Sequence, residues 1–179
     1  MKVRSTTILG VRLKRSVAMG GDGQVTFGDM QIKQKALKVR KFDSTKNVVL
    51  GGFAGAAADA FTLFERFEEK LDEFNGQLQR SVVELAKEWR TDKYLRHLDA
   101  LLALMDRRTS YLVSGDGNVV EPDGAVLSIG SGSGYALAAA EALLTCNITS
   151  PKEVVQRSLK IAADICIYTN HHISIMELP

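Results

Sequence analysis

Residues 48–89 read VVLGGFAGAAADAFTLFERFEEKLDEFNGQLQRSVVELAKEW, and a change of period inside this stretch decides the fold class. Val48–Ala54 is a short apolar run, the pattern of a buried strand, broken by Gly51-Gly52. Glycine inside a strand marks close approach by a ligand or another backbone. Beyond it the period changes. Ala60, Phe64, Phe67, Leu71 and Phe74 recur at alternating steps of four and three, which is one face of a helix, with Glu65, Arg66, Glu68, Glu69 and Lys70 on the other side. Asn75-Gly76 stops that helix, and Leu78, Val82, Leu85 and Trp89 begin a second. Two helices follow a strand with no strand between them, the opposite of an alternating βαβ chain.

Working outward, Thr6–Leu13 and Val17–Met19 read as strands joined through Lys14, Arg15 and Ser16, and Gly20-Gly21-Asp22-Gly23 reads as a tight turn. Gln24–Phe27 and Lys38–Phe42 are further short strands. On the other side, Leu95, Leu98, Leu102 and Met105 extend the helical stripe after a break near Thr91-Asp92. Ser110–Ser114 and Asn118–Glu121 flank Gly115-Asp116-Gly117 as a hairpin, and Ala125–Ile129 is another strand. Tyr135–Leu144 is helical. Ser150-Pro151-Lys152-Glu153 is a capping box that opens a helix to about residue 164, and Ile173–Glu177 is a last strand. The order of strands, two helices, strands, two helices and a final strand predicts an α+β domain. Its antiparallel sheets stack face to face, with helices on the outside.

Composition narrows the function classes. Hydrophobic residues make up 45% and charged residues 25%, with a net charge of +2 and a pI near 8.5. That balance is ordinary for a globular domain and too mild to signal a nucleic-acid partner. The basic run at Lys33, Lys35, Lys38, Arg40 and Lys41 carries few aromatics for base stacking. Cys146 and Cys166 form no CxxC pair, no apolar run is long enough to span a membrane, and the N-terminus lacks a signal-peptide pattern. The expectation is a cytoplasmic chain without a disulfide framework.

Several motifs are weaker than they look. Gly130-Ser131-Gly132-Ser133-Gly134 fails the dinucleotide fingerprint, because the sixth position is Tyr135, and no Lys-Ser or Lys-Thr follows for a P-loop. Its reading is a strand-to-helix turn of small residues that lets backbones approach. His97, His171 and His172 form no HExxH pair, and none has a cysteine or histidine partner system. A hydrolase must then find its base elsewhere. Thr6 supplies one. A threonine hydroxyl is a weak nucleophile that needs an adjacent base. If Thr6 becomes the mature N-terminus, its own α-amine, with a reference pKa of about 7.7–8.0, takes that role. A nearby lysine cation pushes that amine towards its neutral, basic form.

The chain also resembles a known family. Thr6-Thr7-Ile8, Gly21-Asp22-Gly23-Gln24-Val25-Thr26-Phe27-Gly28, Lys38-Val39-Arg40, Gly52-Phe53-Ala54-Gly55, Ala58–Phe64, Leu85–Asp92, Ile129–Gly132 and Asp164–Asn170 look like the blocks of the HslV (ClpQ) peptidases. They occur in order and span nearly the whole chain. The resemblance implies the N-terminal-nucleophile hydrolase fold, a four-layer αββα sandwich, over residues 6–179, preceded by a propeptide at 1–5. It implies Thr6 as nucleophile and Asp22 and Lys38 as the charged pair that tunes its amine. It further implies Gly52 as a backbone oxyanion donor and Ser131 as a hydrogen-bonding serine near the amine. The spacings from Thr6, 22 − 6 = 16 and 38 − 6 = 32, are those of proteasome β subunits.

By the same resemblance, the backbone carbonyls of Ala163, Cys166 and Thr169 bind a monovalent cation, Na+ in expectation, and no nucleotide binds this subunit. Glycine is common in the family where Ala163 stands, and Met1–Ser5 is longer than the single methionine of many relatives. The partners implied are twelve copies in two stacked six-membered rings, an HslU-type AAA+ ATPase ring and unfolded protein substrates, with no nucleic acid and no membrane. Other classes are a non-catalytic ring subunit and a self-sufficient proteasome-type β subunit. The intact Thr6, Asp22 and Lys38 argue against the first, and the whole-chain match argues against the second.

Overall fold

The computed structural model describes residues 6–179 apart from 56, 99 and 147; the expected propeptide, residues 1–5, lies outside them. Strand β1 (Thr7–Leu13) turns at Lys14-Arg15, where Lys14 adopts φ 57°, into β2 (Ser16–Asp22). A small hairpin, β3 (Val25–Phe27) and β4 (Met30–Lys33), precedes β5 (Val39–Asp43) and β6 (Val48–Ala54). Helices α1 (Ala57–Glu73) and α2 (Leu78–Thr91) follow. Next come β7 (Leu101–Met105), β8 (Ser110–Ser114), β9 (Val119–Val120) and β10 (Val126–Gly130). Helices α3 (Ser133–Thr145) and α4 (Pro151–Ile165) lead to β11 (Ile173–Leu178). Among the described residues no helix is long and apolar enough to cross a membrane.

Two antiparallel sheets result, ordered β10-β1-β2-β11 and β5-β6-β7-β8-β9. Three buried apolar clusters define the layers. Ile8, Met19, Leu50, Ala103, Met105 and Ile129 fill the gap between the sheets. Phe42, Phe53, Phe67, Trp89, Leu102 and Leu104 lie between the five-stranded sheet and α1–α2. Leu9, Val11, Ala18, Val155, Leu159 and Ala140 lie between the four-stranded sheet and α3–α4. The αββα sandwich expected from the order of elements is the observed one.

Two local readings need correction. Leu95, Leu98, Leu102 and Met105 do not continue a helix. Asp92 Oδ1 accepts the N–H groups of Tyr94 (2.8 Å) and Leu95 (3.0 Å), which turns the chain into a short 3-10 turn at Leu95–His97. The stretch after it is β7. Leu102 and Leu104 face the helices while Ala103 and Met105 face the other sheet, so both faces of the strand are apolar. A strand buried on both sides reads as a continuous apolar run, which periodicity cannot separate from helix. Nor do Gly20 and Gly21 make a turn. β2 runs through them to Asp22, and their lack of side chains serves packing: a Cβ on Gly20 would press on Val155 and Leu159, and one on Gly21 on Ile8. Strand β4, with all four residues exposed, has no apolar alternation by which to be read. The capping box at Ser150 is half made: Ser150 Oγ accepts the Glu153 N–H (3.3 Å), while the Glu153 carboxylate pairs with Arg157 (3.2 Å).

The aromatic cluster under α1 anchors the helical layer. Phe67 is fully buried and meets Phe42 edge-on, with centroids 5.0 Å apart. Replacing Phe67 by alanine is expected to cost about 3–5 kcal/mol. Thermal unfolding at fixed protein concentration checks this, with Tm falling by about 2–4 °C per kcal/mol.

Candidate active site

Alternation along β1 sets the site. Ile8 faces the gap between the sheets, and Leu9 faces α3 and α4. Carried back along the chain, the same parity turns Thr6 towards the inter-sheet side and Thr7 towards the helices. Thr6 is buried, at 5% exposure, and its carbonyl accepts the Ser131 N–H at 2.7 Å. Gly130, at φ 97°, makes that approach possible, because a Cβ there would strike the Thr6 carbonyl oxygen.

Asp22, at the end of β2, is fully buried and fully bonded. Its Oδ1 accepts the Thr7 N–H (2.8 Å) and the Lys38 ammonium (3.0 Å). Its Oδ2 accepts the N–H groups of Gln24 (2.8 Å) and Asn170 (3.4 Å). Lys38, just before β5, also donates to the Gln24 carbonyl at 2.6 Å. Burial pushes the Lys38 ammonium below its ordinary pKa, and the Asp22 carboxylate beside it pushes back. A cation and an anion thus sit one residue from the hydroxyl that would attack.

Four of the five expected catalytic residues converge here: Thr6, Asp22, Lys38 and Ser131. The Ser131 contact with Thr6 runs through its backbone N–H, and Ser131 also lines the cavity beside Thr6. Gly52 sits elsewhere in the arrangement. It pairs with Val39 and Ala103 in the middle of β6, and a Cβ on it would collide with Ile8. Its missing side chain leaves room for Ile8 and Met19 of the other sheet. Thr6 itself lines two cavities. One, of about 880 Å³, runs past Ala54, Ser131 and Tyr168 to Arg96 and Asp116. The other, of about 570 Å³, is walled by Val39, Phe53, Ala60 and Phe64 with Lys33 and Lys35 on its rim.

The expected cation ligands follow α4. Ala163 lies in its last turn, where carbonyls lack helical partners. Cys166 is its C-cap, and its carbonyl accepts the Thr169 N–H at 3.0 Å. Among the described residues Lys14 and Asn75 are the non-glycine residues at positive φ, so Ala163 needs no glycine-only conformation and its carbonyl is kept. Three neutral oxygens at a helix end fit a hard monovalent ion in chemical type. This loop also touches the site, through Thr169 Oγ1, 2.7 Å from Thr7 Oγ1.

Thr7, Gln24 and Asn170 are functional neighbours to which the sequence assigned no role. Thr7 is fully buried, and its hydroxyl also accepts the Gly132 N–H at 3.0 Å. The glycine run is thereby explained: a Cβ on Gly132 would strike Thr7 Oγ1. The available signal was a second threonine on the opposite face of β1 from the first. Of the histidines, His97 is exposed in the 3-10 turn and His171 pairs with Asp164 at 3.1 Å on the surface.

An αββα sandwich with a threonine at the head of a central strand and a buried lysine–aspartate pair beside it defines an N-terminal-nucleophile hydrolase. A family model described as the proteasome subunit matches residues 3–178, and the chain belongs to that family. With it comes the chemistry of a threonine peptidase. The structure is similar to that of eukaryotic HslV from Trypanosoma brucei, at 40% identity and TM-score 0.89, covering 96% of this chain and 98% of that one. Thiobacillus denitrificans BPH is similar at 20% identity and TM-score 0.76, covering 96% and 97%. Its epoxomicin complex is similar at 18% and 0.75, with the same coverage. These two share the fold.

The pair gives a signed expectation. The folded pKa of Lys38 lies below the free value of 10.5. Between the two values the unfolded chain holds a proton that the folded chain has released, so stability rises with pH there. Asp22→Asn removes the attraction that opposes burial, lowers the folded pKa further and widens that window. The variant is expected to lose about 3–5 kcal/mol at neutral pH. Relative to wild type, it regains part of this as pH rises, which paired melting curves from neutral to alkaline pH will show.

Proposed function

We propose that this chain, once Met1–Ser5 is removed, is the proteolytic subunit of a two-component, ATP-dependent protease and cleaves unfolded proteins with Thr6. The observation that carries the reading is the buried Asp22–Lys38 pair. Asp22 holds the Thr7 N–H, and Lys38 meets Asp22 beside a threonine that opens onto both cavities. In the processed chain the α-amine of Thr6 takes the proton from its own hydroxyl, and the Lys38 cation favours the neutral amine before that step. Oγ1 bonds to the substrate carbonyl carbon. A backbone N–H donor to the oxyanion is worth about 10²–10³ in rate; Gly52, the expected donor, is paired within β6 and lines neither cavity, while Ala54 and Gly55 at the end of that strand lie beside Thr6. The peptide C–N bond breaks as the amine returns its proton to the leaving nitrogen. Water, deprotonated by the same amine, then hydrolyses the ester and frees Oγ1. The Ser131 N–H on the Thr6 carbonyl holds the nucleophile's backbone through the cycle.

The proposed assembly is two stacked hexameric rings in the cytoplasm, capped by an HslU-type AAA+ ATPase ring. It is supported by the 40% identity to HslV over nearly the whole of both chains. Thr6→Ala in the processed protein is expected to abolish peptide cleavage with and without the ATPase, while light scattering still finds the wild-type particle. Full cleavage by that variant would refute the mechanism, and a monomer at micromolar concentration would refute the rings.

The carbonyls of Ala163, Cys166 and Thr169 are the proposed holders of a monovalent cation, Na+ in preference. The bound ion would fix the turn after α4, from which Thr169 reaches Thr7. Exchanging sodium and potassium for a bulky organic cation at equal ionic strength is expected to lower peptidase activity. Unchanged turnover would remove the ion from the model.

A further inference from the structure

Asn170 follows the turn after α4 and points into the loops that carry the charged pair. Its Oδ1 accepts the N–H groups of Gly23 (3.1 Å) and His172 (3.2 Å), and its Nδ2 donates to the Gln34 carbonyl (2.9 Å). Its own backbone N–H reaches Asp22 Oδ2. One residue thereby binds the segment that carries Asp22 and the segment that leads to Lys38.

The segment leading to Lys38 needs such a hold. Residues 34–38 have no regular structure, between the end of β4 and the start of β5. Their register against Asp22-Gly23-Gln24 rests on the Ala36 N–H to the Gly23 carbonyl (2.9 Å), on Lys38 itself and on the Asn170 clamp. Gly23 presses so closely that a Cβ on it would strike the Gln34 carbonyl. Gln24 braces the same junction in the other direction, with Nε2 donating to the Ile167 carbonyl (2.9 Å) and to Thr26 Oγ1 (3.0 Å).

We propose that Asn170 is a positioning residue for proteolysis: it clamps the Asp22–Gln24 turn to the 34–38 loop and so sets where the Lys38 ammonium stands relative to the Thr6 amine. The proposal rests on the reading of Thr6 as nucleophile. Asn170 lines neither cavity beside Thr6, so it acts on the reacting groups and leaves substrate binding alone. The other ionisable side chains lining those cavities, Arg96, His97, Asp116 and Tyr168 on one side and Lys33, Lys35 and Arg40 on the other, are the same in wild type and variant.

The test uses the processed protein in its full assembly with the activating ATPase, comparing wild type, Thr6→Ala, Asn170→Ala and Asn170→Asp. Asn170→Ala removes all three side-chain bonds. Asn170→Asp keeps both acceptor bonds and turns an oxygen towards the Gln34 carbonyl. The expected result is a kcat lower by about ten- to a hundredfold for Asn170→Ala, the penalty of a slightly misplaced catalytic group. KM should stay close to wild type, because no substrate contact is lost. The rate–pH profile should move to higher pH in both variants, and further in Asn170→Asp, whose added carboxylate favours the protonated amine. Wild-type kcat and profile in both variants would overturn the proposal. So would a loss of rate that tracks a loss of Tm with the profile unmoved, since that is a structural prop alone. Activity in Thr6→Ala would instead sink the nucleophile assignment on which the proposal rests.

Discussion

The structure depends on one buried ion pair. Removing Asp22 and Lys38 from water is costly, and their mutual attraction offsets that cost only when the remaining bonding capacity is filled. It is filled from four directions: Thr7 at the head of β1, Gln24 after β2, Asn170 after α4 and Lys38 before β5. Each donor belongs to a different stretch of chain, so the pair can form only when the four-stranded sheet, the 34–38 loop and the last turn of the helical layer are all in place. Folding is therefore the step that assembles the charge beside Thr6.

Glycine sets how closely the layers approach around that pair. Gly52 and Gly21 leave room for Ile8 between the sheets, and Gly130 and Gly132 let the loop before α3 bond the backbone of Thr6 and the hydroxyl of Thr7. The two threonines divide the work because a strand points successive side chains to opposite faces. One faces the gap where both cavities open. The other is locked against α3 and the turn that carries Thr169. The nucleophile's backbone is thus held through its neighbour and through the Ser131 N–H.

Much of this was legible in the chain. The period change between Val48–Ala54 and α1, the Asn75-Gly76 stop and the Ser150-Pro151 start are local signals, and each corresponds to a boundary in the structure. Trp89 and Phe67 read as core and are fully buried. The failures share one cause. Leu101–Met105 is buried on both faces and Gly20-Gly21 is glycine for reasons of packing, so their conformation is set by layers far away in sequence. Local pattern carries no record of those neighbours.

By itself the sequence carried the chemistry through its resemblance to a known family, which picked out Thr6, Asp22 and Lys38, and its periodicity carried enough amphipathic helix and apolar strand to build an α+β domain. Residue type and spacing are what nucleophilicity, charge and periodicity depend on, so they are readable without coordinates. Only the tertiary structure decided that Asp22 bonds the Thr7 N–H, that Ser131 holds Thr6 by its backbone, and that Asn170 joins the two halves of the charged pair. Each of these contacts has a backbone group as one partner, and the Asn170 N–H reaches Asp22 across 148 positions. A backbone N–H is the same in every residue but proline, so nothing in the order of side chains tells which one a buried carboxylate will find.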